Sequence, residues 1–429
     1  KGGFYMQIQK KLQIGICISL VLCILFAPSI RAEDETMYVW NNNSNKIDTS
    51  NRTTDAVQTA VTMSDELPNT TDTLGLSSGS AILIEQNTGK ILYGKNIHEK
   101  LRPASVTKVM SILLIMEAID SGRLSYTDTI PCSENAANMG GSQIWLDVKE
   151  TLTVDEMLKA ICVSSANDCT VALAEYLAGS TDAFVEQMNQ KAKELGMNDT
   201  TFKNCHGLDE DGHVTSSYDI AVMSRELLTK HPDITKYTTI WMDSLREGKS
   251  ELVNTNKLIR NYSGATGLKT GSTSLALYNL SASATRNNLS LIAVIMKAPT
   301  TKERFNEAQK LLDYGFNNYS YQSLSKQGEE VGTVTVSKGI EKEVKAVLEK
   351  DCGTLLKKGE EKGITQEIYL EENKTAPIQK GEKIGEITYS LNGEVIDKVN
   401  VVAEKEIPQI GFTSMLSHLV YQWFTLYRT

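Results

Sequence analysis

The chain has 429 residues, 41% of them hydrophobic, and carries a formal net charge of −9 at pH 7. That length allows two or three domains with real cores. The acidic balance offers no clustered basic face, so no nucleic acid is expected as a partner. No Cys-x-x-Cys or His-rich spacing points to a metal, and neither a metal nor a cofactor is expected.

Residues 1–32 read as leader and signal peptide. The chain opens on Lys1 and its first methionine is Met6. Codons for Lys1-Gly2-Gly3 can spell a bacterial ribosome-binding site, so residues 1–5 read as translated leader and Met6 as the start. Lys10 and Lys11 precede an apolar run over residues 14–27, and Ile30-Arg31-Ala32 ends on a small residue. This three-part plan predicts export with cleavage after Ala32. A retained anchor is the alternative, but the run is short for a span of roughly 20 residues. Residues 33–73 are rich in Asn, Thr, Ser and Asp without hydrophobic periodicity, and read as a flexible tether.

A catalytic domain is expected over 74–319. Residues 80–85 and 90–95 read as a hairpin around Asn87-Thr88-Gly89. A helix is expected from Ser105 to about Ser121, where Ser-Gly ends it. Val154, Met157, Leu158 and Ile161 share one face of a helix over 153–163. Helices over 167–178 and 182–195 end at Gly179 and Gly196 as C-caps, and another spans 218–230. The pattern then changes to strands over 267–273, 278–285 and 289–297, and a helix over 301–314 closes the domain.

From Tyr319 the composition shifts to Lys, Glu, Gly and Val. Alternating runs over 330–336, 343–348, 365–370, 383–389 and 395–402 predict a small all-β domain over 320–406. Residues 407–429 read as an amphipathic membrane-anchor helix. Phe412, Met415, Leu416, Leu419, Val420, Trp423, Phe424, Leu426 and Tyr427 fall largely on one face. It is too short and polar to span a bilayer, so it is expected to lie in the interface. Of seven cysteines, Cys17 and Cys23 fall in the signal. Cys132, Cys162, Cys169, Cys205 and Cys352 read as buried apolar fillers, with one disulfide allowed among them.

Three short motifs carry chemistry. Ser105-x-x-Lys108 follows Pro103 at a helix start and puts a hydroxyl and an amine on one face. A serine becomes a nucleophile when a nearby base takes its proton. Ser165-Ala166-Asn167 precedes a helix and can point into a cleft. Lys269-Thr270-Gly271 lies on an expected edge strand, beside glycines that admit a substrate backbone. Each alone also reads as a cap, a turn or a surface lysine. In this order they form the trio of penicillin-binding proteins and class A β-lactamases.

The wider signature resembles the serine-type D-alanyl-D-alanine carboxypeptidases, the low-molecular-mass penicillin-binding proteins. It includes Pro103-Ala104-Ser105-Val106-Thr107-Lys108, Gly141-Ser142-Gln143-Ile144-Trp145-Leu146 and Ser165-Ala166-Asn167-Asp168. His206-Gly207-Leu208-Asp209, Gly267-Leu268-Lys269-Thr270-Gly271 and Arg304-Phe305-Asn306-Glu307 complete it. The resemblance implies an α+β, β-lactamase/transpeptidase-like domain, an antiparallel sheet flanked by helices. A small β domain and a terminal amphipathic helix follow.

The resemblance implies removal of the terminal D-alanine from peptidoglycan stem pentapeptides through an acyl-enzyme on Ser105, inhibited by β-lactam antibiotics. Lys108 is the implied base, its pKa depressed by burial and by Lys269. Ser165 relays a proton to the leaving amine, and Asn167 binds the substrate amide. The backbone N–H groups of Ser105 and Ser272 form the oxyanion hole. Lys269, Thr270, Gly271, Ser272 and Arg304 line the substrate site, with Arg304 on the free carboxylate. His206 and Asp209 read as a structural turn. The implied location is extracytoplasmic, peripheral to the outer face of the cytoplasmic membrane through the terminal helix.

The departures from the family pattern are Ala166 for Gly, Ser272 for His or Phe, and Leu277 for Gly. A β-lactamase is the first alternative, yet no Glu-x-x-Leu-Asn occurs between Ser165 and Lys269 to activate a deacylating water. A non-catalytic wall-binding protein on the same fold is opposed by the intact Ser105, Lys108 and Lys269. D,D-endopeptidase action on cross-links uses the same residues and stays open.

Overall fold

The structure is a computed structural model that describes residues 74–411 together with Leu416 and Trp423. The expected start at Met6, the signal peptide and the tether lie outside the described residues. So does the terminal helix apart from those two positions, which are helical and exposed.

Strands β1 (Ser80–Glu85) and β2 (Ile91–Lys95) form the expected hairpin. They open a five-stranded antiparallel sheet in the order β2-β1-β5-β4-β3. Here β3 is Ala265–Thr273, β4 is Leu277–Arg286 and β5 is Leu289–Ala298. Successive side chains on a strand point to opposite faces. Ile82, Ile84, Ile292, Val294 and Met296 therefore enter one core, and Ala81, Leu83, Leu291, Ala293 and Ile295 enter another. Both faces are covered, so β1 and β5 are continuously apolar rather than alternating.

The first core is built with helices α1 (Lys108–Asp120), α2 (Val154–Ser164), α3 (Asn167–Ala178), α4 (Thr181–Glu194) and α5 (Ser217–Lys230). The second is closed by α6 (Thr301–Asn318). Each buried Leu or Ile contributes roughly 1.5–3 kcal/mol, so these two cores fix the sheet against both helical layers. The α+β expectation holds for this part of the chain.

Two boundaries differ from the sequence reading in informative ways. Ser105 does not start an α-helix; Ala104–Thr107 forms a 3-10 turn and the α-helix begins at Lys108. Ala104 takes φ +50°, which bends the chain away from a regular helix start. Helix α6 continues past Tyr314 to Asn318. Gly315 does not stop it, because it serves close packing: an added Cβ there would lie 2.4 Å from Leu291 Cδ1.

Helix α6 passes directly into the second domain. That domain comprises β6 (Tyr319–Ser325), β7 (Glu330–Ser337), β8 (Glu343–Leu348), β9 (Cys352–Lys357), β10 (Ile364–Leu370), β11 (Asn373–Thr375), β12 (Lys383–Leu391) and β13 (Glu394–Ala403). Six of them form a sheet in the order β10-β12-β13-β8-β7-β11, while β6 pairs with β9. The all-β expectation holds. Strands β6, β9 and β11 were not expected, since none shows clear alternation. The β6–β9 pair is stabilised by docking, with Tyr319, Tyr321 and Leu355 packed against the second core of the first domain.

All five described cysteines are free and buried, which corrects the disulfide allowed among them. Cys132, Cys162, Cys169 and Cys205 each pack as small apolar groups in the first core, and Cys352 packs in the core of the β domain. Among the described residues no helix is long and apolar enough to cross a membrane.

Candidate active site

The three motifs converge where the start of α1, the α2–α3 joint and the edge strand β3 meet. The sequence dictates the joint. Helix α2 begins with a capping box, in which Thr153 Oγ1 accepts from Glu156 N and the Glu156 carboxylate accepts from Thr153 N. It ends at Ser165, which takes the left-handed conformation at φ +65°. A non-glycine residue there costs roughly 1–2 kcal/mol. Two residues later Asn167 opens α3. This three-residue link turns Ser165 and Asn167 toward the same cleft.

Lys108 is fully buried, and its Nζ lies 3.2 Å from Ser105 Oγ. The same nitrogen donates to Asn167 Oδ1 at 2.5 Å and to the His206 carbonyl at 2.6 Å. Burial and then the neighbouring Lys269 charge hold its pKa well below the usual lysine value. Lys269 is itself buried and donates to Ser165 Oγ at 2.8 Å and to the Thr270 carbonyl at 2.9 Å. Burial lowers its pKa to about 7, with Arg304 adding to the shift. Among the described residues no carboxylate is bonded to either amine, so no ion pair offsets their desolvation; the Asp168 charge near Lys108 opposes the shift without reversing it.

Asn167 is held at both ends, because its Nδ2 donates to the Gly140 carbonyl at 2.6 Å. One N–H of that amide is left for a ligand. The Thr270 hydroxyl donates to Thr255 Oγ1 at 2.7 Å. Ser272 is exposed near the end of β3 and pairs with Tyr278 of β4. Strand β3 is one of the two edges of the sheet. Arg304 reaches in from α6, behind the strand. Its Nη1 donates to the carbonyls of Gly271 and Asn279, both at 3.3 Å, and its ring neighbours are Tyr278 and Phe305. Its Nε is buried without a partner. Leu277, the first residue of β4, sits at φ +56°, the conformation a glycine would hold without strain.

Several supporting residues were not read from the sequence in these roles. Two glycines clamp the nucleophile turn. A Cβ on Gly271 would lie 2.9 Å from Ser105 N, and a Cβ on Gly207 would lie 2.0 Å from the Ala104 carbonyl oxygen. Asn279 Nδ2 donates to the carbonyls of Arg102 and Pro103 at 2.8 and 3.0 Å. Buried His213 accepts from Lys203 N at Nδ1, so Nε2 carries the proton donated to Thr107 Oγ1 at 2.8 Å. Thr107 in turn donates to the Ala104 carbonyl at 2.9 Å. Burial lowers the His213 pKa to about 4, which keeps this brace neutral at pH 7. The His206-Gly207-Leu208-Asp209 stretch, expected as a structural turn, is a bend at His206 followed by irregular chain, and its His206 carbonyl and Gly207 backbone touch the site directly.

A buried amine beside a serine, a second amine beside another serine, and an open strand edge define a serine acyltransferase of the Ser-x-x-Lys class. The comparisons narrow the class. Residues 67–300 match the D-alanyl-D-alanine carboxypeptidase family, and residues 319–409 match the penicillin-binding protein 5 C-terminal domain. D-alanyl-D-alanine carboxypeptidase DacF of Bacillus subtilis is 45% identical over 357 residues, 82% of this chain and 92% of that protein. The crystal structure of penicillin binding protein 5 from Haemophilus influenzae has a TM-score of 0.65 at 31% identity, covering 78% of this chain and 98% of its own. Penicillin-binding protein D2 from Listeria monocytogenes, solved in its ampicillin-bound form, has a TM-score of 0.52 at 31% identity, over 57% of this chain and 99% of its own. The chain belongs to the D-alanyl-D-alanine carboxypeptidase family.

Gly207→Ala tests the clamp on the nucleophile turn. Its methyl group meets backbone, which cannot rotate aside, and its φ of +93° is strained for any side chain. The sum of torsional strain and overpacking is at least about 2 kcal/mol. Urea unfolding should show that loss; a stability equal to wild type would mean the turn is not clamped.

Proposed function

We propose that this protein is a serine D,D-carboxypeptidase that removes the terminal D-alanine from peptidoglycan stem pentapeptides through an acyl-enzyme on Ser105. The observation that carries the reading is the setting of Lys108 Nζ. Two carbonyl oxygens, on Asn167 and His206, take two of its hydrogens, and Ser105 Oγ faces the remaining position. In the neutral amine that position holds the lone pair. Burial and Lys269 favour the neutral form.

Ser105 Oγ then bonds to the carbonyl carbon between the last two D-alanines, and its proton passes to Lys108 Nζ. The N–H groups of Ser105 and Ser272 stabilise the tetrahedral oxyanion. The C–N bond breaks, and the leaving amine takes a proton through Ser165, whose oxygen is oriented by Lys269. Water completes the cycle by hydrolysing the ester. The stem peptide adds as an extended strand along the free edge of β3, where Gly271 admits its backbone. Asn167 offers its remaining N–H to the substrate amide. Lys269, Thr270 and Arg304 receive the terminal carboxylate; the unpartnered Nε of Arg304 supports a site tuned to an anion.

A β-lactam presents a strained amide to the same serine. Mass spectrometry after incubation with benzylpenicillin should place one adduct on the peptide containing Ser105, and none on Ser105→Ala. Labelling of the alanine variant would overturn the nucleophile.

The second expectation is a pH profile. Acylation needs neutral Lys108, so its rate should rise with pH through the lowered pKa of that amine. Lys269→Gln removes the like charge that helps depress it, so the ascending limb should move to higher pH while the rate falls. An unmoved limb would mean that Lys269 does not set the base. The same burial links to stability. Lys269 binds its proton less readily folded, near 7, than at its ordinary 10.5, so the unfolded chain holds the extra proton between those values. Its destabilising contribution is full below about pH 7 and fades as pH rises toward 10.5.

The reading extends to location. The three-part N-terminal plan supports export, and the aromatic, apolar face over 412–428 supports attachment to the outer face of the cytoplasmic membrane. Leu416 and Trp423 are seven residues apart, two helical turns, and both are exposed. Truncation after Pro408 should release active enzyme to the soluble fraction, whereas high salt should not release the full chain. Continued sedimentation of the truncated enzyme with membranes would overturn the anchor.

A further inference from the structure

Trp145 is 73% exposed, more than any other large hydrophobic side chain among the described residues. It also sits at φ +61°, a strained conformation for a tryptophan. Leaving an indole in water and twisting its backbone both cost stability, yet the backbone is tied down on each side. Ile144 N and Leu146 N donate to the buried Asp168 carboxylate at 3.1 and 3.2 Å. Arg246 donates to the carbonyls of Ile144 and Trp145 at 2.8 and 3.2 Å, and is itself fixed by Glu150 at 2.6 and 2.9 Å.

This strut begins in the catalytic motif. Asp168 follows Asn167, and Asn167 N donates to the Ser142 carbonyl at 2.7 Å. Trp145 comes three positions after Ser142, at most about 10 Å of chain. The Trp145 backbone is thus anchored to the segment that carries Asn167, with its indole exposed. Backbone strain that the surroundings hold in place is a mark of function. A rigid, exposed aromatic supplies contact area at little cost in conformational entropy.

Arg246, which holds this segment, is already spent on Glu150, Ser250 and two carbonyls. The cationic groups assigned to the terminal carboxylate, Lys269 and Arg304, belong instead to β3 and α6. The leaving D-alanine offers a carboxylate, which suits those groups, and a single methyl too small to use an indole. Long aliphatic side chains occur only upstream of the scissile bond.

We propose that Trp145 is a specificity-determining residue, whose indole packs on the aliphatic side chain of the stem residue preceding the two D-alanines. This rests on the carboxypeptidase reading. The chemistry at Ser105 does not depend on the contact, so the loss of Trp145 acts only on substrates long enough to reach it.

The test compares two peptides that differ only in that residue, diacetyl-L-lysyl-D-alanyl-D-alanine and acetyl-glycyl-D-alanyl-D-alanine. The full chain and its Trp145→Ala and Trp145→Phe variants are assayed by released D-alanine. For Trp145→Ala, kcat/KM on the lysyl peptide should fall roughly tenfold and on the glycyl peptide less than twofold. Trp145→Phe should keep most of the preference. One penicillin adduct per Trp145→Ala molecule confirms an intact site. Equal falls on both peptides mean a structural role and overturn the inference, as does no fall on either. A wild-type enzyme that cleaves neither peptide overturns the carboxypeptidase reading and the inference with it, an outcome distinct from the other two.

Discussion

The structure depends on the burial of two lysines in one cleft. An ammonium group taken out of water without a partner carboxylate is costly, and the chain responds by making deprotonation easier. Lys108 and Lys269 meet hydroxyls, an amide and carbonyls, all of which accept from an amine whether or not it is charged. Such surroundings hold position without forcing protonation. A carboxylate bonded directly to either amine would have done the reverse, fixing the charge and removing the base.

That arrangement requires segments far apart in sequence to approach within hydrogen-bond distance, and the backbone is strained where they meet. Ala104, Ser165 and Leu277 all take positive φ around the cleft. Gly207 and Gly271 close on the nucleophile turn at distances that no Cβ could tolerate. The stiffness comes from the sheet behind. Strands β1 and β5 are buried on both faces, Asn279 ties β4 to the segment that carries Ser105, and Arg304 ties β4 and the edge strand to α6. The sheet therefore acts as a rigid back wall against which a peptide strand can be aligned. The second domain docks on this frame through β6 and β9, away from the chemistry.

Much of the fold is legible in the residues because hydrophobic periodicity is local. The hairpin at β1–β2, helices α2 to α5, the strands of the sheet and most of the β domain follow from spacing alone. The 3-10 turn at Ser105 was not legible, because Ala104 is bent by contacts from Gly207 and Thr107, about a hundred residues and three residues away. Strands β6, β9 and β11 were missed for a related reason. Their residues alternate poorly, and pairing with distant partners rather than propensity makes them strands.

By itself the sequence determined the class of chemistry: a hydroxyl and amine three residues apart, a second Ser/Asn pair, and a Lys-Thr-Gly on an edge strand, in an order that chance rarely supplies. The direction of the shift at Lys108 was decided by the fold, which buries that amine and brings Lys269 beside it. Only the tertiary structure decided how the site is held. The His206 carbonyl on Lys108, the His213–Thr107–Ala104 brace, the Asn279 tie and the Asp168 strut under Trp145 join residues whose individual signals are weak. A single asparagine or histidine looks the same in sequence whether it caps a turn or braces a nucleophile. The difference lies in what the fold brings within three ångströms of it, and that is set by packing of the whole domain rather than by any local pattern.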